Sequence, residues 1–215
     1  MPVGTPIKAI LLFAVPMLIG NVFQQFYNFV DTTVVGKFVG ADALAAVGTT
    51  GSMNALLICI AMGLSNGAGV IISQCFGAQR YDEMKKAVTA MMYVASVTGL
   101  VITAAGIFLA GPAMRLLGVP DSIIHLSVLY MRIVFGFSLT GIFYNAFAAI
   151  LRSVGDSRTP LYMLIISSVI NVVLDLLFVL KFGMGVAGVA YATVIAQGVS
   201  AALCAMYIIK HRYQL

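Results

Sequence analysis

Six long apolar runs divide this sequence and leave only short connections between them. Each run holds about 20 or more mainly apolar residues, enough to cross the hydrocarbon core of a bilayer as an α-helix. The connections hold most of the charged residues and much of the Gly and Pro, as expected of loops. The pattern predicts an all-α integral membrane protein with six transmembrane helices in one unit over residues 1–215, at 7–35, 51–76, 84–110, 123–151, 159–180 and 186–209.

The composition agrees with a membrane protein and excludes several other classes. Hydrophobic residues make up 61% of the chain and charged residues only 9%, which excludes an ordinary soluble domain. The net charge of +5 does not indicate a nucleic-acid partner, because the basic residues are scattered singly and form no stripe with interleaved aromatics. No phosphate-binding loop and no nucleophile with a neighbouring His and carboxylate occurs. We therefore expect no enzyme activity and no cofactor.

Basic residues are distributed unequally between alternate connections, which predicts the orientation in the membrane. One side has three, namely Lys37, Arg115 and Lys181. The other side has eight, which are Lys8, Arg80, Lys85, Lys86, Arg152, Arg158, Lys210 and Arg212. Because the side richer in Lys and Arg is the cytoplasmic one, we expect both termini in the cytoplasm and the protein in the cytoplasmic (inner) membrane.

The fifth apolar run contains a carboxylate, Asp175, and one helical turn before it a carboxamide, Asn171. An ionisable group at membrane depth costs about 2.5–3.5 kcal/mol on insertion scales, so it is a functional hypothesis with a partner to be found. The first run supplies that partner, Asp31. We expect the two carboxylates to bind a coupling cation, either Na⁺ or a proton.

Polar residues in three of the runs recur at helical spacing. In the first run Asn21, Gln24, Asn28 and Asp31 fall on one stripe less than a quarter-turn wide. Ser168, Asn171 and Asp175 share a face in the fifth run, and Thr193, Gln197, Ser200 and Cys204 share one in the sixth. The amides and hydroxyls could simply hydrogen-bond between helices. Two carboxylates are different, since neutral residues could do that work.

Two weaker signals concern the first run. Asp31 is followed at the same intervals as Asp175 by a Lys-Phe pair and by a threonine, Thr49 or Thr193, so the first and last helical hairpins could be built alike. Pro16 interrupts the helical hydrogen bonding of the first run. It is therefore a candidate hinge that a change of charge at Asp31 could bias, although a static kink is an equal alternative.

Several separated segments together resemble the start of a multidrug and toxic compound extrusion (MATE) transporter. They lie at residues 13–16, 24–31, 35–48, 77–80 and 152–160. The resemblance implies a cation-coupled antiporter that expels amphipathic, often cationic, drugs and other toxic compounds by alternating access. It further implies that the cation site is formed by Asp31, Asn171, Asp175 and Thr193. From the polar stripes we expect Gln24, Asn28 and Gln197 to be supporting polar residues.

Members of that family have two six-helix lobes, and this sequence resembles only the first, amino-terminal one. We expect either a fragment of a longer protein or a lobe that pairs with a second copy. Two rival functions stay open. A flippase for lipid-linked precursors of the same superfamily would favour a cavity lined by several Arg or Lys, whereas only Arg132 lies well inside an apolar run, away from its ends. A non-transporting structural or channel subunit would tolerate replacement of both aspartates.

Overall fold

The computed structural model describes residues 6–211. In that range the chain is helical throughout, with short turns and no strand. Two π-helical turns, one after α1 and one after α6, interrupt the series of helices. The bounds in chain order are α1 Pro6–Val34, the first π turn Val35–Val39, α2 Ala41–Gly77, α3 Tyr81–Leu116, α4 Asp121–Gly136, α5 Ser138–Ser153, α6 Arg158–Leu176, the second π turn Leu177–Lys181, and α7 Gly185–His211.

The lengths of these helices agree with a chain that spans a membrane. Four of them are long and apolar enough to cross a bilayer, namely Ala41–Gly77, Tyr81–Leu116, Arg158–Lys181 and Gly185–His211. The bent pair α4 and α5 would count as a fifth within the described residues. The arrangement is therefore an all-α membrane fold, while the six spans at the stated bounds stay a prediction.

The fourth apolar run differs from the single continuous helix that we expected over 123–151. It forms two helices that meet at Phe137 with a bend of 46°. Contacts with α3 accompany the break: the Ser138 hydroxyl lies 3.1 Å from that of Thr103 and donates to the Gly99 carbonyl at 3.4 Å. A serine that bonds a neighbouring helix can reorient the chain, and such tertiary contacts leave no mark on hydropathy.

Glycines in α3 allow the bent pair to pack closely against it. A Cβ added at Gly106 would overlap the Phe135 side chain, and one added at Gly99 would overlap Leu139. Lipid gives no hydrophobic drive between helices, so close contact through small residues is how such helices associate. The two glycines therefore fix where α4 and α5 lie.

The first and last hairpins are built alike, as the spacing of Asp31 and Asp175 predicted. Each aspartate lies near the end of a long helix that continues directly into a π turn, and the two π turns are in contact. Each π turn is a single turn that ends its helix, and isolated π turns are frequent at functional sites. Thr49 lies on α2, and its hydroxyl lies 3.1 Å from that of Ser127 on α4.

Candidate cation site

Asp31 and Asp175 meet at the interface where α1 packs against α6. Asp175 is fully buried and Asp31 is 9% exposed. Their carboxyl groups lie within hydrogen-bonding reach of each other. The predicted pairing of the two carboxylates is therefore present in the fold.

Unsatisfied polar atoms are concentrated at this interface. Among the residues whose side chains the structure describes (11, 13–26 and 28–211), five buried side-chain polar atoms have no hydrogen-bond partner, and all belong to three residues. They are Asp31 Oδ1, both carboxylate oxygens of Asp175, and both Oδ1 and Nδ2 of Asn171. A buried polar group without a partner costs free energy and calls for an explanation, of which a bound ion or proton is one.

An apolar wall surrounds the two carboxylates. One buried apolar cluster contains three valines from different elements, which are Val34 on α1, Val179 in the second π turn and Val194 on α7. Val34 and Val179 each lie about one turn after an aspartate of the pair. In such surroundings charges interact more strongly than in water, and two carboxylates in contact repel each other. Both groups are acceptors, so neither can donate to the other unless one carries a proton.

Tyr130 on α4 is a member of the site that the sequence did not reveal. It is 5% exposed, and its hydroxyl is close enough to interact electrostatically with both Asp31 and Asp175. It belongs to the same buried cluster as the surrounding valines. A lone tyrosine in an apolar run gives no periodic signal, although its position one turn after Ser127 places it on the face of α4 that contacts α2.

The other predicted site residues differ in how deeply they are buried. Asn171 is fully buried one turn before Asp175, and Thr193 is buried on α7, the helix that packs against α6. Gln24 and Gln197 are half-buried, and Gln197 Oε1 lies close to Gly141 on α5. The fold thus brings Asp31 directly to Asp175. Asn171 lies on α6, the same helix as Asp175, and Thr193 lies on α7, which packs against α6.

The polar stripe of α1 is divided between half-buried or buried positions and exposed positions in this lobe. Asn21 and Asn28 are exposed, and Asn28 donates to Gln25 Oε1 at 3.3 Å. On a helical projection Gln24 and Asp31 form one edge of the stripe and the two asparagines form the other. The stripe therefore straddles the boundary between the interior and the exposed surface. Pro16 lies within α1, which runs on through it as one helix.

The donor set suits a hard monovalent cation or a proton. The unsatisfied oxygens are carboxylate and amide oxygens, the ligand type that alkali and alkaline-earth ions prefer, and the Thr193 hydroxyl is of the same type. Within the described residues no three His, Cys, Asp or Glu side chains come together as they would for a metal centre. Two carboxylates, one amide and one hydroxyl thus fit Na⁺ or a shared proton.

The sequence model of the MatE family matches residues 16–177, most of the chain and both of these aspartates. The chain belongs to the MATE family. Members of this family are transporters rather than enzymes, as the sequence led us to expect. A relative in Bacillus subtilis, the probable multidrug resistance protein YpnP, is 36% identical over 211 residues, which cover 97% of this chain and 47% of the relative.

Solved structures of MATE transporters share the fold. A MATE crystal structure in the bent conformation superposes with a TM-score of 0.92 at 28% identity, covering 99% of this chain and 47% of the other. A MOP superfamily transporter from Pyrococcus furiosus, for which reversed polarity of the binding pocket suggests a different function, superposes with a TM-score of 0.91 at 28% identity, covering 98% and 46%. The chain spans about half the length of the relatives it matches.

Proposed function

We propose that this chain is the amino-terminal lobe of a cation-coupled antiporter that exports amphipathic or cationic drugs and other toxic compounds. The relative from Bacillus subtilis named a probable multidrug resistance protein supports the export of drugs. The buried contact between Asp31 and Asp175, with its unsatisfied oxygens, supports the coupling to a cation. That contact is the observation on which the proposal depends most, because a structural pair of buried carboxylates would only destabilise the fold.

The two aspartates belong to different helices, and this gives the site a way to act on the fold. When both carboxyl groups are charged, their repulsion favours separation of α1 from α6. A positive charge between them, as Na⁺ or as a proton held by one oxygen, removes the repulsion and favours the closed contact. Pro16, which leaves a carbonyl of α1 without its usual partner, provides the place at which α1 bends.

Four side chains would hold the cation. Asp31 and Asp175 supply the charge, and the oxygens of Asn171 and Thr193 complete the oxygen shell for Na⁺. Gln24 and Gln197 adjoin the site on its half-buried side. For a proton the two carboxyl groups are sufficient, with Asn171 Nδ2 donating to the one that stays charged.

Drug and cation are coupled through their preferences for different states of the lobe. The cation favours the state in which α1 and α6 are in contact, and the drug favours the other. Coupling requires such a difference in affinity, since a ligand that binds both states equally shifts neither population. Loss of the cation therefore accompanies uptake of the drug, and binding of the cation drives release of the drug.

A second six-helix lobe completes the transport pathway in this proposal. It is either a carboxy-terminal half of a longer protein or a second copy of this chain. Exposed polar side chains at membrane depth on α1 and α2, such as Asn28 and Asn66, support a partner on that side, because polar groups that face lipid are costly. The lobe lies in the cytoplasmic membrane with both termini in the cytoplasm, as the distribution of Lys and Arg supports; Arg212 falls outside the described residues.

The proposal is tested by efflux of a fluorescent cation from cells that express the intact protein. We expect Asp31→Asn and Asp175→Asn to abolish gradient-driven efflux at matched expression, whereas Asp121→Asn, at an exposed position at the start of α4, leaves it unchanged. Undiminished efflux by either site variant under the same gradient would falsify the proposal. A channel or a non-transporting subunit would show neither gradient-driven efflux nor any effect of the two substitutions.

A lipid-precursor flippase is the second candidate. The likeness to a Pyrococcus furiosus transporter for which a different function is suggested keeps it open. Against it, Arg132 is the one Lys or Arg that lies away from the ends of the apolar runs, and its side chain is exposed on α4 rather than buried with the polar residues of the site. Efflux of a small cationic dye that a polyprenyl phosphate does not inhibit would decide for drug export.

A further inference from the structure

A groove separate from the cation site runs between α2 and α3, with α5 as its floor. Its volume is about 270 Å³. From Ala61 to Ile71 it follows α2 for ten residues, which corresponds to about 15 Å along the helix axis. Apart from Ser65 its walls are apolar, and the residues that define them best are Ala61, Leu64, Ala68, Ala87, Ala90 and Val94.

Small side chains on facing helices create this groove. Ala68 on α2 and Ala87 and Ala90 on α3 leave space, while the larger side chains of Leu64, Ile71 and Val94 stand along its sides. Ile142 of α5 is buried and closes the bottom. The result is a long, narrow slot that opens sideways from two helices that are apolar enough to span a membrane.

The opposite face of α2 has a different character. There a Cβ added at Gly63 or Gly67 would meet nothing within 4 Å, and the exposed neighbours are mostly polar, with Asn66, Ser73 and Gln74 beside the apolar Val70. On a helical projection these residues lie half a turn away from Ala61 and Ala68. The polar face suits contact with protein or water, which leaves the apolar groove on the side that faces the hydrocarbon of the bilayer.

One end of the groove carries an excess of one positive charge, because three basic residues there face two acidic ones, Asp82 and Glu83. Arg80, Lys85 and Lys86 lie in the α2–α3 turn and the start of α3, beside the groove residue Ala87. Arg80 is paired with Glu83 at 3.5 Å. No acidic partner within 4.0 Å is found for either lysine among residues 6–211. Lys86 lies one turn before Ala90, on the edge of the groove, and its side chain points toward the helix start at the membrane surface.

We propose that the groove binds one acyl chain of an anionic phospholipid, with the phosphate against Lys86 and Arg80. The slot matches a single hydrocarbon chain in shape and polarity, and the basic residues at its end complement the charge of the headgroup. Binding would hold α2 and α3 together at the end where they are joined. The inference does not depend on the proposed transport function, because it concerns lipid on the outer wall of the lobe.

Native mass spectrometry of the intact protein, purified in detergent and supplied with phosphatidylglycerol, tests this inference. Ala90→Phe fills the groove, and Ala104→Phe adds the same ring at an exposed site on α3 outside it. We expect one tightly retained phosphatidylglycerol in the wild type and in Ala104→Phe, and at least a tenfold loss of affinity in Ala90→Phe. Equal retention by the two variants would overturn the proposal.

A second comparison tests the headgroup. Lys86→Gln should weaken phosphatidylglycerol binding about fivefold, as expected for one basic residue at an anionic surface. The matched change Lys181→Gln, at an exposed position in the second π turn, should have no effect. Phosphatidylcholine should bind less tightly to the wild type and be insensitive to Lys86→Gln. If the intact protein retains no lipid that Ala90→Phe displaces, a protein surface covers the groove and the inference is wrong.

Discussion

Asp31 and Asp175 come from opposite ends of the sequence, yet their carboxyl groups face each other across the α1–α6 interface. The charge on one carboxyl group therefore affects the free energy of charging the other. We expect the effects of their substitutions on cation-driven efflux to be strongly non-additive. In a double-substitution cycle, Asp31→Asn, Asp175→Asn and the double variant should reduce cation-driven efflux to the same residual level. Independent effects that multiply in the double variant would mean that the residues act separately.

Tyr130→Phe removes a hydroxyl that interacts with both carboxyl groups and keeps the buried ring. Without that dipole the carboxylates are less well stabilised, so they should hold a cation more tightly and release it more slowly. We expect the half-saturating cation concentration to fall about three- to tenfold, together with the maximal efflux rate. Tyr162→Phe, at an exposed position on α6, is the control and should match the wild type.

Asn171→Leu preserves the volume of a fully buried side chain and removes its amide oxygen. If Na⁺ is the coupling ion, the loss of one ligand should raise the half-saturating Na⁺ concentration at least tenfold. Transport driven by a proton gradient should change much less, because a proton needs only the carboxyl groups. Asn66→Leu, on the exposed face of α2, should leave both dependences unaltered. Unchanged Na⁺ dependence in Asn171→Leu would remove this residue from the cation site.

Pro16→Ala restores the missing hydrogen bond of α1 and stiffens the helix. We expect the maximal efflux rate to fall at least fivefold while cation affinity changes less than twofold, because the site itself is intact. Pro112→Ala provides a control within another long helix, α3, which carries none of the proposed cation-binding residues. A wild-type rate in Pro16→Ala would show that the proline is a static kink.

Gly106→Ala tests the close packing of α3 against α4. The added methyl group would overlap Phe135, so we expect a loss of about 1–3 kcal/mol in stability. Thermal unfolding in detergent would show this as a lower midpoint. At Gly67 on α2 an added Cβ meets nothing within 4 Å, so Gly67→Ala should be neutral or stabilising by up to about 1 kcal/mol. Equal midpoints for the two variants would contradict the packing described here.

The sequence was sufficient to predict the features that depend on composition and period. Long apolar runs indicated the helical membrane fold, and the cost of burying a carboxylate indicated that Asp31 and Asp175 belong together. The likeness of the first and last hairpins was also visible as a repeated spacing. These properties are local or follow from one strong energetic term, so they do not require knowledge of the packing.

Other features depend on contacts between distant segments and could not be predicted. The break at Phe137 accompanies the bonding of Ser138 to α3, and the position of Tyr130 depends on how α4 packs against α2 and α7. The exposure of Asn28 depends on the rotation of α1 by less than a quarter-turn, which the spacing of polar residues does not fix. In each case the deciding interaction joins residues that are far apart in the sequence.

The two unlike faces of α2 restrict how this lobe can move. One face is apolar along the groove at Ala61 and Ala68, and the other is polar at Asn66, Ser73 and Gln74. Rolling α2 about its own axis by half a turn would carry the amides of Asn66 and Gln74 into hydrocarbon and the groove into polar surroundings, at a cost of about 1–3 kcal/mol for each amide left unsatisfied. Tilting and sliding avoid that cost. A change of access must therefore leave the rotation of α2 about its own axis unchanged. The helix is expected to move by tilting or sliding instead.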